Sequence, residues 1–158
     1  MIAQPVRKIR GFALAITMLA IAACASSPPA SNSAASIAVG DRAAAIALEQ
    51  VGTPYLYGGN TPGGFDCSGL VHYAYRLAGA NVPRTTKALW SAADTVKDRD
   101  LRAGDLLFFN IDGKMSHVGM YIGDGQFVHA PQSGRTVSVM SMDAPFYKAA
   151  LLRAGRVY

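Results

Sequence analysis

The sequence predicts an α+β domain with helices packed on a central antiparallel β-sheet, on the strength of three observations. Apolar residues recur at helical spacing between Asp41 and Asp94, in three blocks divided by Gly and Pro. After Gly104 the period shortens, and the chain becomes a series of brief β-branched or aromatic runs separated by Gly, Asp or Pro. Helices come first and strands afterwards, and this order argues against a parallel βαβ sheet.

The chain ahead of that domain is of another kind. Arg7, Lys8 and Arg10 form a positive start, and Gly11 to Ala23 is a mostly apolar run too short to span a bilayer. Residues 1–23 thus have the length and flanks of a secretory signal. They end in Ile21-Ala22-Ala23-Cys24, which resembles the lipobox of bacterial lipoproteins. That resemblance implies that Cys24 becomes the new N-terminus, carrying a diacylglyceryl thioether and an N-acyl chain. An ordinary signal cleaved nearby would leave Cys24 a bystander. Each buried methylene contributes about 0.8 kcal/mol, so several chains hold a protein far longer than one. Ala25 to Ser36, rich in Ser, Pro and Ala, reads as a flexible tether with a reach of roughly 20 Å. The expected organisation is therefore signal 1–23, lipidated cysteine and linker 24–37, and one domain over 38–158. Such a domain works close to the membrane holding its anchor. Ala25 stands where a lipoprotein kept at the inner membrane often has aspartate, so the analogy favours the periplasmic face of an outer membrane.

Losing the signal changes the charge balance. The whole chain has 15 Lys and Arg against 10 Asp and Glu, but three of those cations lie in residues 1–23. What remains is near +2 without a basic block, so nothing points to a nucleic-acid partner. Its length suits a single domain with an ordinary core, expected to be monomeric.

Within the domain, "DRAAAIALEQVG" fits a helix with Asp41 as N-cap and Gly52 and Pro54 as its stop. "TPYLYGGNTPGGF" is loop. Ser68 to Leu77 is helical again, with Gly79 near its C-cap, and "TTKALWSAAD" is a third, short helix. Five runs then read as strands: "DLLFF", "SHVGMYIG", "QFVHA", "TVSVMSM" and "LLRAGRVY". Trp90, Tyr73 and Tyr75 read as core or cleft wall.

The two cysteines sharpen the functional question. If Cys24 carries lipid, Cys67 has no partner in the chain. A leftover cysteine in an exported protein is a reactive thiol, half of an intermolecular bond, or a small buried hydrophobe. Cys67 stands at the start of the second helix, where free amides and the helix dipole stabilise an anion. The nucleophile reading is therefore preferred. The glycines before it allow a sharp turn and close approach of a substrate chain.

A thiol nucleophile needs a base and a group that orients the base. Of the three histidines, His72 lies about 140° around the helix from Cys67 and should face elsewhere. His117 and His129 flank the hairpin signal "GDG". A two-residue Asp124-Gly125 turn pairs Gly123 with Gln126 and sends the imidazoles to opposite faces. A three-residue loop pairs Ile122 with Gln126 and sets His129 opposite Gly119, diagonal to His117 on one face. Diagonal neighbours ~7–8 Å apart lie within reach of two imidazoles, and Gly125 supplies the left-handed residue such loops want. The sequence thus permits Cys67, His117 as base and His129 as orienter.

"TPYLYGG", "GFDCSGLVHYAY", "VPRTT", "AGDLLFF", "SHVGMYIGDGQFVHA" and the closing "RV" together resemble the NlpC family of papain-like cell-wall cysteine peptidases. The resemblance covers most of the chain after the tether and implies the papain-like NlpC fold. It assigns Cys67 as nucleophile, His117 as base, His129 as orienter, and Tyr55 as a group holding the reacting carbonyl. Tyr57 stands where many members have tryptophan. The implied substrate is the peptidoglycan stem peptide, cut at γ-D-glutamyl–diaminopimelate or at D-alanyl–diaminopimelate, with no cofactor and no metal. Asp66 and Ser68 either recognise a free stem-peptide amine, as in some relatives, or cap the helix. Arg84 either pairs with a substrate carboxylate or forms a structural salt bridge. Three other classes compete: a silent wall-binding scaffold of this fold, a thiol acyltransferase, and a metal site of Cys67, His117 and His129. The last lacks a nearby carboxylate in the usual ligand patterns.

Overall fold

The computed structural model describes residues 1–2, 32–111 and 113–158. Residues 3–31, which hold the rest of the signal, the lipobox with Cys24 and the first part of the tether, lie outside the described residues. The first helix, α1, runs over Asn32–Leu48 and so begins well before Asp41, which sits inside it and is not its N-cap. Alanines and the absence of proline between Pro29 and Pro54 allow the helix to extend back through 32–36, where the composition predicts a flexible tether. Its buried face is almost all alanine: Ala43, Ala44 and Ala47. Gly40 faces the Tyr158 ring and the Ala103 carbonyl so closely that no side chain fits there.

Two short strands follow, β1 (Asn60–Thr61) and β2 (Gly64–Phe65), and then helices α2 (Cys67–Ala78) and α3 (Thr86–Ala92). The sheet comprises β3 (Asp94–Val96), β4 (Leu106–Ile111), β5 (Lys114–Gly123), β6 (Gln126–His129), β7 (Ser138–Ser141) and β8 (Leu151–Arg156). A short helix, α4 (Pro145–Ala150), precedes β8. The sheet order is β3-β8-β4-β5-β6-β7, with every pair antiparallel. All five expected strand runs are present, in an α+β architecture. β8 returns to lie between β3 and β4, so the sheet is a meander closed by its own last strand.

The first four residues of β4, Leu106 to Phe109, are all apolar because both of their faces are buried. Leu106 and Phe108 point into the core shared with α1, α2 and α3, beside Leu70, Tyr75, Val118 and Met120. Leu107 and Phe109 join Phe127 and Ala154 in a second cluster on the other face, which Tyr147 of α4 covers. Tyr75 is fully buried and donates its hydroxyl to the Gly104 carbonyl at 2.6 Å. Trp90 is half-buried, with the Arg153 guanidinium 4.0 Å above its ring.

Candidate active site

α2 begins at Cys67 because Asp66 caps it: its Oδ1 accepts the Gly69 amide at 2.6 Å. The same carboxylate accepts the Gly58 amide at 3.0 Å and two guanidinium bonds from Arg84, at 2.9 and 2.7 Å. Arg84 also donates to Ser68 Oγ at 3.0 Å and to the Gly59 carbonyl at 3.1 Å. Asp66, Ser68 and Arg84 thus form one network that ties the glycine loop to the start of the helix. In this structure they act as cap and salt bridge, and none of the three lines the cleft.

That cleft encloses about 630 Å³ and is lined by Tyr55, Cys67, His117, His129, Arg135 and Tyr147 among others. Tyr55 is held from both sides, since its amide donates to the Arg135 carbonyl at 2.9 Å and it bridges to Phe65. Burial, with Cys67 and Asp66 nearby, raises its phenol pKa, so the hydroxyl stays a donor. The Cys67 thiol sits 3.6 Å from Thr86 Oγ1 and donates to the Ser116 carbonyl at 3.9 Å. Those contacts place the sulfur against the β5 backbone next to His117.

The histidines meet through a hairpin that combines both register alternatives. The turn is two-residue, with Gly123 paired to Gln126 and both Asp124 (φ 51°) and Gly125 (φ 68°) left-handed, as a type I′ turn needs. By itself that turn would send His117 and His129 to opposite faces. A bulge at Ile122 inserts one residue, and the strands continue as Tyr121–Phe127 and Met120–Val128. The bulge restores the parity, and His117 Nε2 lies 2.8 Å from His129 Nδ1.

Both imidazoles are buried among aromatic rings. His129 is 1% exposed and packs edge-on against Phe127 and Tyr147, while His117 lies over Phe109. Desolvation pushes His117 down to about 4, and desolvation together with His117 pushes His129 down to about 3. Burial also raises the Cys67 thiol, outweighing the hydrogen bonds from Thr86, the Val118 amide and the Ser68 amide, and the Asp66 carboxylate raises it further. The helix start was expected to lower this pKa; desolvation dominates instead. Burial thus favours the neutral form of each group, thiol and imidazole.

His72 donates Nδ1–H to the Val82 carbonyl at 2.9 Å and does not line the cleft. Among the described residues, no group of three or more His, Cys, Asp or Glu side chains is placed to hold a metal. No helix among them is long and apolar enough to cross a membrane.

Three residues at the site escaped the sequence reading: one touches the thiol and two line the cleft. Thr86 belongs to "VPRTT", but nothing in its spacing announces a bond to sulfur. Arg135 lies in a Gly-containing loop, and Tyr147 sits on a six-residue helix brought over the sheet only by tertiary packing.

The NlpC/P60 family profile matches residues 52–156. The chain is 44% identical over 115 residues to a protein named probable endopeptidase YafL of Escherichia coli K12, covering 69% of this chain and 46% of that one. It is 37% identical over 116 residues to the murein DD-endopeptidase MepH of the same strain, covering 70% and 43%. It thus spans less than half the length of either relative. An NlpC/P60 family crystal structure from Bacillus cereus superposes with a TM-score of 0.70 at 34% identity, covering 75% of this chain and 40% of that one. The chain belongs to the NlpC/P60 family, as its motifs indicated.

Proposed function

We propose that the protein is a lipid-anchored cysteine peptidase of the cell envelope that hydrolyses peptidoglycan stem peptides beside diaminopimelate, using Cys67, His117 and His129. The observation that carries this reading is the 2.8 Å bond between His117 Nε2 and His129 Nδ1, in a cleft lined by the Cys67 thiol at the start of α2. The names of YafL and MepH, an endopeptidase and a murein DD-endopeptidase, support the substrate class. Arg135 supports an anionic substrate: it lines the cleft, and its guanidinium has no hydrogen-bond or ion-pair partner among the described residues. Stem peptides carry free carboxylates that such a group would meet. The anchor follows from the lipobox at Cys24.

The chemistry follows from which nitrogen faces which group. His117 spends Nε2 on His129, so Nδ1 is left as the base. For attack, the thiol turns from the Ser116 carbonyl, gives its proton to His117 Nδ1, and the sulfur adds to the scissile carbonyl carbon. The Cys67 amide and the Tyr55 hydroxyl stabilise the oxyanion. As the tetrahedral species collapses, the C–N bond breaks and His117 passes its proton to the leaving amine. A water then gives a proton to His117 and adds to the thioester carbonyl. Collapse releases the carboxylic acid and returns the proton to sulfur.

A digest of purified peptidoglycan, read by mass spectrometry, tests this. The wild type is expected to release new fragments whose masses distinguish γ-D-glutamyl–diaminopimelate from D-alanyl–diaminopimelate cleavage. The Cys67→Ala variant is expected to release none. A folded wild type that binds the wall without cutting it would contradict the reading and favour a scaffold.

A further inference from the structure

We propose that Tyr147 is a positioning residue that holds the proton of His129 on Nε2, and through it keeps His117 Nδ1 free to act as base. The tyrosine hydroxyl lies 3.4 Å from His129 Nε2. Its ring meets the His129 ring edge-on, with centroids 5.2 Å apart and planes at 89°. Packing against Phe109 at 5.5 Å and Phe127 at 5.1 Å clamps the ring in place.

Proton counting gives the hydroxyl its role. His129 is 1% exposed and held neutral by burial, so it carries one N–H and neither nitrogen has ready access to water. Its Nδ1 faces His117 Nε2 at 2.8 Å, and one hydrogen occupies that bond. If the hydrogen belongs to His129, then neutral His117 carries its own proton on Nδ1 and has no lone pair for the thiol. If it belongs to His117, Nδ1 of His117 is a base and His129 must carry its proton on Nε2. The second arrangement is also the one that survives proton transfer. A protonated His117 bears N–H on both nitrogens, so His129 Nδ1 must then accept. The buried Nε2–H needs an acceptor, and among the described residues the Tyr147 hydroxyl is the group bonded there. Tyr147 is half-buried and lines the cleft, where its own hydroxyl hydrogen can be donated to water or substrate.

The contact of the Tyr147 hydroxyl with His129 Nε2 stands on the geometry, and the choice between the two tautomer pairs rests on the peptidase reading. Histidine labelled with ¹⁵N in the full chain tests it through long-range ¹H–¹⁵N correlations, which distinguish a protonated from a bare ring nitrogen. In the wild type, His129 is expected to carry its proton on Nε2 and to leave Nδ1 bare. Tyr147→Phe keeps the ring contacts and removes only the acceptor, leaving a buried N–H unpaired. This variant should shift His129 toward the Nδ1–H form and lower kcat about tenfold while changing KM less than twofold. A wild-type His129 protonated on Nδ1, or an unchanged tautomer in Tyr147→Phe, would overturn the proposal. The expected tautomers in a protein that cuts no peptidoglycan would leave this assignment intact and overturn the peptidase reading instead.

Discussion

The two sides of the site are held by opposite means. Cys67 stands on a polar clamp, in which Asp66 caps α2 and is gripped by both terminal nitrogens of Arg84. The histidines stand in an aromatic box of Phe109, Phe127 and Tyr147. Hydrogen bonds fix where the nucleophile starts, since each has a direction and a length. Packing fixes the rings of the base pair and removes water from them, which pushes both pKa values down. The polar half thus positions the nucleophile, and the apolar half both positions the base pair and sets its proton affinity.

Emptying the box should have the largest effect on stability. Phe127 is fully buried and touches both His129 and Tyr147. Phe127→Ala is expected to cost about 3–5 kcal/mol in urea unfolding and to return the His129 pKa toward that of ordinary histidine as water enters, read by NMR titration. Breaking the clamp comes next. Arg84→Ala leaves the Asp66 carboxylate, whose side chain is 14% exposed, without its cation. A loss of about 2–3 kcal/mol is expected, less than for a fully buried pair because water can partly replace the guanidinium. If the two sides are as separate as described, Arg84→Ala should leave the histidine titrations unchanged.

Between pH 6.5 and 4, acid should act mainly on the box. His117 and His129 hold folded-state values of about 4 and about 3, below the ordinary 6.5, so between those limits the unfolded chain binds more protons than the folded one. Stability is therefore expected to be fully present above about pH 6.5 and to fall as pH drops toward 4, read as a declining urea midpoint. His117→Gln should flatten that slope, and Arg84→Gln should not. The smallest effect on the fold belongs to Arg135, which is exposed. Arg135→Gln should change stability by no more than about 0.5 kcal/mol, yet raise KM several-fold for stem peptides with free carboxylates and not for amidated ones.

The same contrast explains what could be read from the chain. The polar half is written locally: "DCSG" places a cap, a nucleophile and the first turn of a helix within four residues. The box is assembled from β4, β5, β6 and α4, which meet only in the folded sheet, so Tyr147 left no local signal. The histidine pairing lay between these cases. Its parity was visible, but the bulge at Ile122 that achieves it depends on strand twist and packing. β3 and the early start of α1 were missed for similar reasons. "DTV" becomes a strand because β8 runs beside it, with Asp94 opposite Arg156. Residues 32–40 extend a helix that packs its Gly40 on Tyr158, more than a hundred residues away.

The most direct test of the account asks whether the clamp and the box act as one machine. Peptidoglycan cleavage should be measured for Cys67→Ala, His117→Ala and the double variant, each first shown to be folded by its circular dichroism. The account predicts that either single substitution removes essentially all of the activity and that the double variant is no worse, because neither group works without the other. Cleavage by His117→Ala at more than a tenth of the wild-type rate would contradict it.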